Sequence, residues 1–98
     1  MVLKVATFFA RCTGKEQAVK VLEEAAEAFS AWQRLHSVRY LVLKGALDGY
    51  SLHDAKLELA DEIADVITAA CNLAKRYDLD MKAAMARCEQ RNRERGRL

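Results

Sequence analysis

Residues 57–77 read LELADEIADVITAACNLAKRY, and this stretch decides the fold class. Its apolar side chains recur every three or four residues, a spacing that places them on one face of an α-helix. This apolar arc consists of Leu59, Ile63, Val66, Ala70, Leu73 and Tyr77. A second stripe beside the arc has the same spacing and is mostly polar: Glu58, Glu62, Asp65, Ala69, Asn72 and Arg76. Glu62 lies only about 20° from Leu73 on a helical wheel, so we expect a half-buried carboxylate that needs a cation or a proton.

Capping signals on either side of this stretch divide the chain into helices. Thr13 and Glu16 form a capping box, Ser51 opens a looser version of the same signal, and Asp80 is placed to cap a last helix. We therefore predict an all-α fold, a small bundle of about four helices, over residues 2–11, 14–36, 52–77 and 81–94. Residues 35–50 either extend the second helix or form a turn or two of their own.

The composition is that of one small globular domain covering residues 1–98. The chain has 52% hydrophobic residues, no proline and a net charge of +2, which is too small to indicate nucleic-acid binding. So short a chain buries only about 60% of its unfolded surface, and its three scattered cysteines form no disulfide or zinc pattern. We therefore expect a homodimer or homotetramer. Free thiols, no secretory signal and no long apolar run predict a cytoplasmic protein without a membrane partner.

The helix predicted over residues 14–36 carries a second group of acids. Its apolar arc, which we expect to pack in the core, consists of Ala18, Leu22, Ala25, Phe29, Trp32 and His36. Glu23, Glu24 and Glu27 lie on the other side, and residues three apart are neighbours on a helix. Antiparallel pairing would bring Glu24 and Glu27 opposite Glu62 and Asp65, an all-oxygen site that suits Mg²⁺ or Mn²⁺ and a phosphorylated ligand. The alternative, a solvated acidic helix face, has about equal weight from spacing alone.

These acids resemble a known signature. The run EEAAE at residues 23–27, followed by EIAD at residues 62–65, is similar to the EExxE…ExxD signature of the MazG-like all-α nucleoside triphosphate pyrophosphohydrolases. The similarity continues through NLA at residues 72–74 and EQRNRERGR at residues 89–97. It implies an enzyme that hydrolyses a nucleoside triphosphate between the α and β phosphates with Mg²⁺, and that serves nucleotide-pool clean-up.

The resemblance also implies roles for the five acids. Glu24, Glu27, Glu62 and Asp65 would be the metal ligands, and Glu23 would either support those ligands from outside the coordination sphere or orient a water molecule. In such a centre the metal polarises phosphoryl oxygens and activates water, while a carboxylate helps to position that water. We therefore interpret all five as the catalytic group.

Candidate substrate-binding residues lie along three helices. Trp32 offers an aromatic face for a base, although a core position is the more frequent use of such a residue. The Asn72 side chain would either form a hydrogen bond to a base or ribose, or make a polar contact between helices. The closing helix offers guanidinium and amide groups for phosphates, and the alternative there is an exposed basic tail. These closing-helix candidates are Arg87, Arg91, Asn92 and Arg95.

Two rival functions stay open at the level of sequence. A phosphoribosyl-ATP pyrophosphohydrolase looks similar around EExxE on a short all-α chain. A non-catalytic helical interaction module would use the acids as solvent face and the arginines to dock an acidic partner.

Overall fold

The fold, taken from a computed structural model that describes residues 2–9 and 11–98, consists of three helices. Helix α1 spans Gly14–Leu43, α2 spans Gly49–Arg76 and α3 spans Met81–Glu94. No strand occurs among the described residues, so the all-α class is confirmed. None of the helices in this part of the chain is long and apolar enough to cross a membrane.

The fourth helix, predicted over residues 2–11, does not form. Residues 2–9 have no helical structure, and Ala10 lies outside the described residues. Side chains of α2 instead bind the stretch that precedes α1, which we call the N-terminal segment. The Phe8 N–H donates to Oδ1 of Asn72 at 3.0 Å, and the Arg76 guanidinium donates to the Cys12 carbonyl oxygen at 2.7 Å. The segment therefore finds polar partners across the chain.

The three helices begin where short polar side chains cap them. Thr13 accepts a hydrogen bond from the Glu16 N–H, as the capping box predicts. Asp48 accepts from the Ser51 N–H, so α2 begins at Gly49, slightly earlier than predicted. Asp80 accepts from the Ala83 N–H and starts α3 at the predicted residue. Residues 35–43 extend α1, which ends just before Gly45.

Helices α1 and α2 pack against each other through small and polar side chains. The buried residues of α1 are Gln17, Glu24 and Ala31, and those of α2 are Ala55, Ala69, Asn72 and Ala74. The predicted core arc of α1 is therefore wrong for this chain, because Leu22, Phe29 and Trp32 remain 71%, 58% and 48% exposed. The face of α1 that carries Gln17, Glu24 and Ala31 packs against α2. The face that carries Leu22, Phe29 and Trp32 forms an exposed apolar row.

The third helix stands apart from this pair. It buries no residue and does not pack on α1 or α2 to a comparable extent. The accessible surface is 7932 Å², whereas a compact monomer of this mass exposes about 5,600 Å². The radius of gyration is 17.0 Å, compared with about 13 Å for a compact chain of this length. One protomer thus leaves much of its apolar surface uncovered.

Candidate metal centre

Three carboxylates meet where α1 crosses α2. One oxygen from each of Glu24, Glu62 and Asp65 lies within 4.8 Å of the others. Glu24 points from the buried face of α1, whereas Glu62 and Asp65 are three residues apart on α2 and therefore share a helix face. Burial decreases across the group: Glu24 is only 7% exposed, Glu62 is half-buried and Asp65 is exposed. We call these three residues the acidic triad.

The acidic triad contains two buried oxygens without a protein partner. Oε2 of Glu24 and Oε2 of Glu62 are both inaccessible to solvent and accept no hydrogen bond. Leaving a buried carboxylate oxygen unpaired costs free energy, and most such groups in folded proteins are satisfied. A cation held between the two helices would satisfy both oxygens. A donor set of oxygens alone fits Mg²⁺ or Mn²⁺, so the residues present suit the predicted metal.

The other two predicted acids lie beside the triad on different sides. Glu27 lines a small cavity of about 280 Å³ together with Glu62. The negative charge of Glu24 and a hydrogen bond with it raise the pKa of Glu27, and the charge of Glu62 adds to the effect. Glu23 is exposed and lines the larger cavity on the other side. The structure thus brings three of the five predicted acids together in the triad and places Glu23 and Glu27 on the walls of the two adjoining cavities.

A lysine neutralises part of this charge. The Lys20 ammonium lies 2.8 Å from Oε1 of Glu24, one turn away on α1. This hydrogen bond raises the pKa of Lys20 and lowers the pKa of Glu24. The spacing of four residues was the signal in the sequence, because an oppositely charged pair at that spacing meets on a helix.

A cavity of about 610 Å³ adjoins the acidic triad. Glu24, Asp65 and Asn72 form part of its wall, and Phe8 and Cys12 contribute from the N-terminal segment. Its volume is within the range of small-molecule sites in proteins. Sequence reasoning did not find Phe8 or Cys12, since only a long-range contact places that segment here.

The predicted substrate-binding residues on α1 and α2 have different surroundings. Asn72 is buried on the cavity wall, and its Oδ1 atom accepts a hydrogen bond from the Phe8 N–H. Trp32 lies on the exposed face of α1, where its ring stacks between Phe29 and His36 at centroid distances of 5.9 and 5.4 Å. Only Asn72 is therefore beside the acidic triad.

The predicted phosphate-binding residues all lie on α3 or directly after it. Asn92 donates to Cys88 Sγ at 3.7 Å and accepts from Arg97 at 3.1 Å, so its amide is engaged locally. Arg87, Arg91 and Arg95 are exposed. Among the residues that the structure describes, none from α3 lines the larger cavity of this protomer.

Comparison with known proteins adds no assignment. No protein-family model, curated protein or solved structure matches the chain.

Proposed function

We propose that this protein is a Mg²⁺-dependent nucleoside triphosphate pyrophosphohydrolase. It would cleave NTP or dNTP between the α and β phosphates, release a monophosphate and pyrophosphate, and serve nucleotide-pool clean-up in the cytoplasm. The observation that carries this proposal is the acidic triad with its two buried, unpartnered oxygens. The likeness of residues 23–27 and 62–65 to the EExxE…ExxD signature supports the same reaction.

Each acid has a distinct task in this proposal. Glu24, Glu62 and Asp65 hold the metal between the helices, and Glu27 completes the ligand set from the side of the smaller cavity. A bound Mg²⁺ supplies Lewis acidity toward the phosphoryl oxygens and lowers the pKa of a bound water. Glu23, exposed on the wall of the larger cavity, accepts a hydrogen bond from the attacking water and orients it. The cavity itself has room for a nucleotide beside these acids.

A second copy of the chain belongs to the proposal. The excess accessible surface of one protomer is about 2,300 Å² over a compact monomer, and obligate homodimers bury areas of that size. Leu22, Phe29 and Trp32 form an exposed apolar row on α1 that a partner would cover. We therefore propose a homodimer or homotetramer, in which a partner shields this row from water.

The direct test is pyrophosphate release from a panel of NTPs and dNTPs. We expect pyrophosphate without free phosphate in the presence of Mg²⁺, and none in the presence of chelator. Activity that persists in chelator would contradict the metal centre. If the whole panel were inert, phosphoribosyl-ATP would be the next substrate, and inactivity there as well would leave the helical interaction module as the better explanation.

A further inference from the structure

Lys20 is the cationic side chain that reaches the acidic triad. Its ammonium contacts Oε1 of the buried Glu24, although 57% of the Lys20 side chain is exposed. The ion pair thus joins a largely exposed lysine side chain to a largely buried carboxylate. Among the ion pairs of the described residues, this is the one that involves a member of the triad.

This contact satisfies Glu24 only in part. The ammonium binds Oε1 and leaves Oε2 without a partner. An ion pair whose lysine is largely exposed contributes little, because water screens the charges and the long side chain loses entropy. A divalent cation carries twice the charge, and Mg²⁺ approaches carboxylate oxygens to about 2.0–2.1 Å. The cation would therefore outcompete the ammonium for this carboxylate.

The structure also leaves space for the ammonium to move. Lys20 lines the larger cavity, and its four-carbon stem is flexible. An ammonium that remained beside a divalent cation on the same carboxylate would be repelled by it. Movement into the cavity removes this repulsion without a change in the backbone.

We propose that Lys20 is an exchangeable counter-ion that neutralises Glu24 in the metal-free protein and leaves it when a divalent cation binds. The inference rests on the proposed function, because it requires the acidic triad to hold a metal. Lys20 and the metal then compete for one carboxylate, so the lysine lowers metal affinity while it stabilises the empty site. In this role Lys20 is a positioning residue, since it acts through Glu24.

The test is a titration of the nucleotide-free protein with Mn²⁺, followed by electron paramagnetic resonance. Wild type is compared with Lys20→Gln, Lys20→Arg and Lys15→Gln. Lys15 lines the same cavity but forms no salt bridge within the described residues, so its variant is matched in charge and location. We expect Lys20→Gln to lower the Kd for Mn²⁺ about two- to fivefold, as the usual strength of an exposed pair implies. Lys20→Arg should stay near wild type, and Lys15→Gln should change less than Lys20→Gln.

A second measurement, thermal unfolding in chelator, tests whether Lys20 stabilises the metal-free protein. Lys20→Gln should unfold at a lower temperature than wild type and Lys15→Gln, because Glu24 then lacks its counter-charge. Circular dichroism checks that each variant is helical. If Lys20→Gln does not fold, Lys20→Met, which keeps an apolar stem, takes its place with the same expectation.

The outcomes separate this inference from the proposed function. If the wild type binds Mn²⁺ and Lys20→Gln binds it equally well or more weakly, the proposed counter-ion role of Lys20 is wrong. The proposed metal centre would be unaffected by that result. Equal tightening in Lys20→Gln and Lys15→Gln would also overturn the counter-ion role, since a general charge effect would then suffice. Failure of the wild-type protein to bind Mn²⁺ would overturn both.

Discussion

Replacing Glu62 by glutamine separates a metal centre from an ordinary acidic helix face, because only a metal centre predicts that the substitution removes a response to metal. One carboxylate oxygen of Glu62 and one of Asp65 lie within 4.8 Å of each other. Two unit charges at that distance repel by about 0.9 kcal/mol even at the dielectric constant of water. Removing one charge should therefore raise the melting temperature of the metal-free protein by about 3–7 °C, given the usual sensitivity of a domain of about 100 residues.

The same substitution should weaken the response to metal. A ligand present at about 100 times its Kd stabilises the folded state by about 2.7 kcal/mol, so Mg²⁺ or Mn²⁺ should raise the melting temperature of wild type. Glu62→Gln should lose most of this shift and most of the pyrophosphate release, since it lacks one anionic ligand. Differential scanning fluorimetry in chelator and in millimolar metal measures both effects.

Asp61→Asn is the matched control for this experiment. Asp61 is the neighbouring residue on α2, it is exposed, and its substitution changes the net charge equally. We expect wild-type metal response and wild-type activity in this control. The reasoning would be refuted if Glu62→Gln kept the wild-type metal shift, or if Asp61→Asn reproduced the behaviour of Glu62→Gln.

Three further predictions concern Asn72 on the cavity wall, Trp32 on the exposed face of α1, and Glu27. Asn72→Ala removes the acceptor of the Phe8 N–H, so we expect a loss of about 1 kcal/mol and faster hydrogen exchange at Phe8; unchanged exchange would contradict the contact. Trp32→Glu places a charge on the exposed apolar row of α1, and light scattering should then show a shift from oligomer toward the 11.0 kDa protomer; an unchanged oligomer would argue that this row is not the interface. Glu27→Gln tests the raised pKa of Glu27. A raised pKa means that the folded state binds the proton more tightly than the unfolded state, so without metal the wild type should gain stability relative to this variant as the pH falls through that pKa. Urea unfolding between pH 7 and pH 4 gives the sign, and a difference that is independent of pH would contradict it.

Local signals in the sequence predicted two of the three helix starts, whereas α2 is capped by Asp48 and not at the predicted Ser51. Thr13 and Asp80 cap α1 and α3 at the expected places, because a cap depends on neighbours only three residues away. The N-terminal segment could not be predicted in this way. Its residues 2–9 include β-branched and aromatic side chains with modest helix propensity, and its polar contacts are to Asn72 and Arg76, more than 60 positions along the chain.

The convergence of Glu24 with Glu62 and Asp65 was predictable, whereas the packing around them was not. The spacing of Glu62 and Asp65 fixes them on one helix face whatever the fold. A helical wheel also shows an apolar row on α1, but it does not reveal whether α2 or another chain covers that row. The assumption that the most apolar face meets the nearest helix led to the wrong core for Phe29 and Trp32.

The packing of the polar face of α1 against α2, in place of its apolar face, has a physical consequence for this protein. An apolar contact between α1 and α2 would have left no room for carboxylates, whereas the observed contact of alanines and polar side chains holds Glu24 within reach of α2. Alanines bury little apolar surface, so this contact alone stabilises the helix pair weakly. The proposed function offers two further sources of stability: a cation that would bind the unpartnered oxygens between the helices, and a second copy that would cover the exposed apolar row of α1. Because they act on opposite faces of α1, metal binding and self-association are expected to stabilise the same helix pair independently.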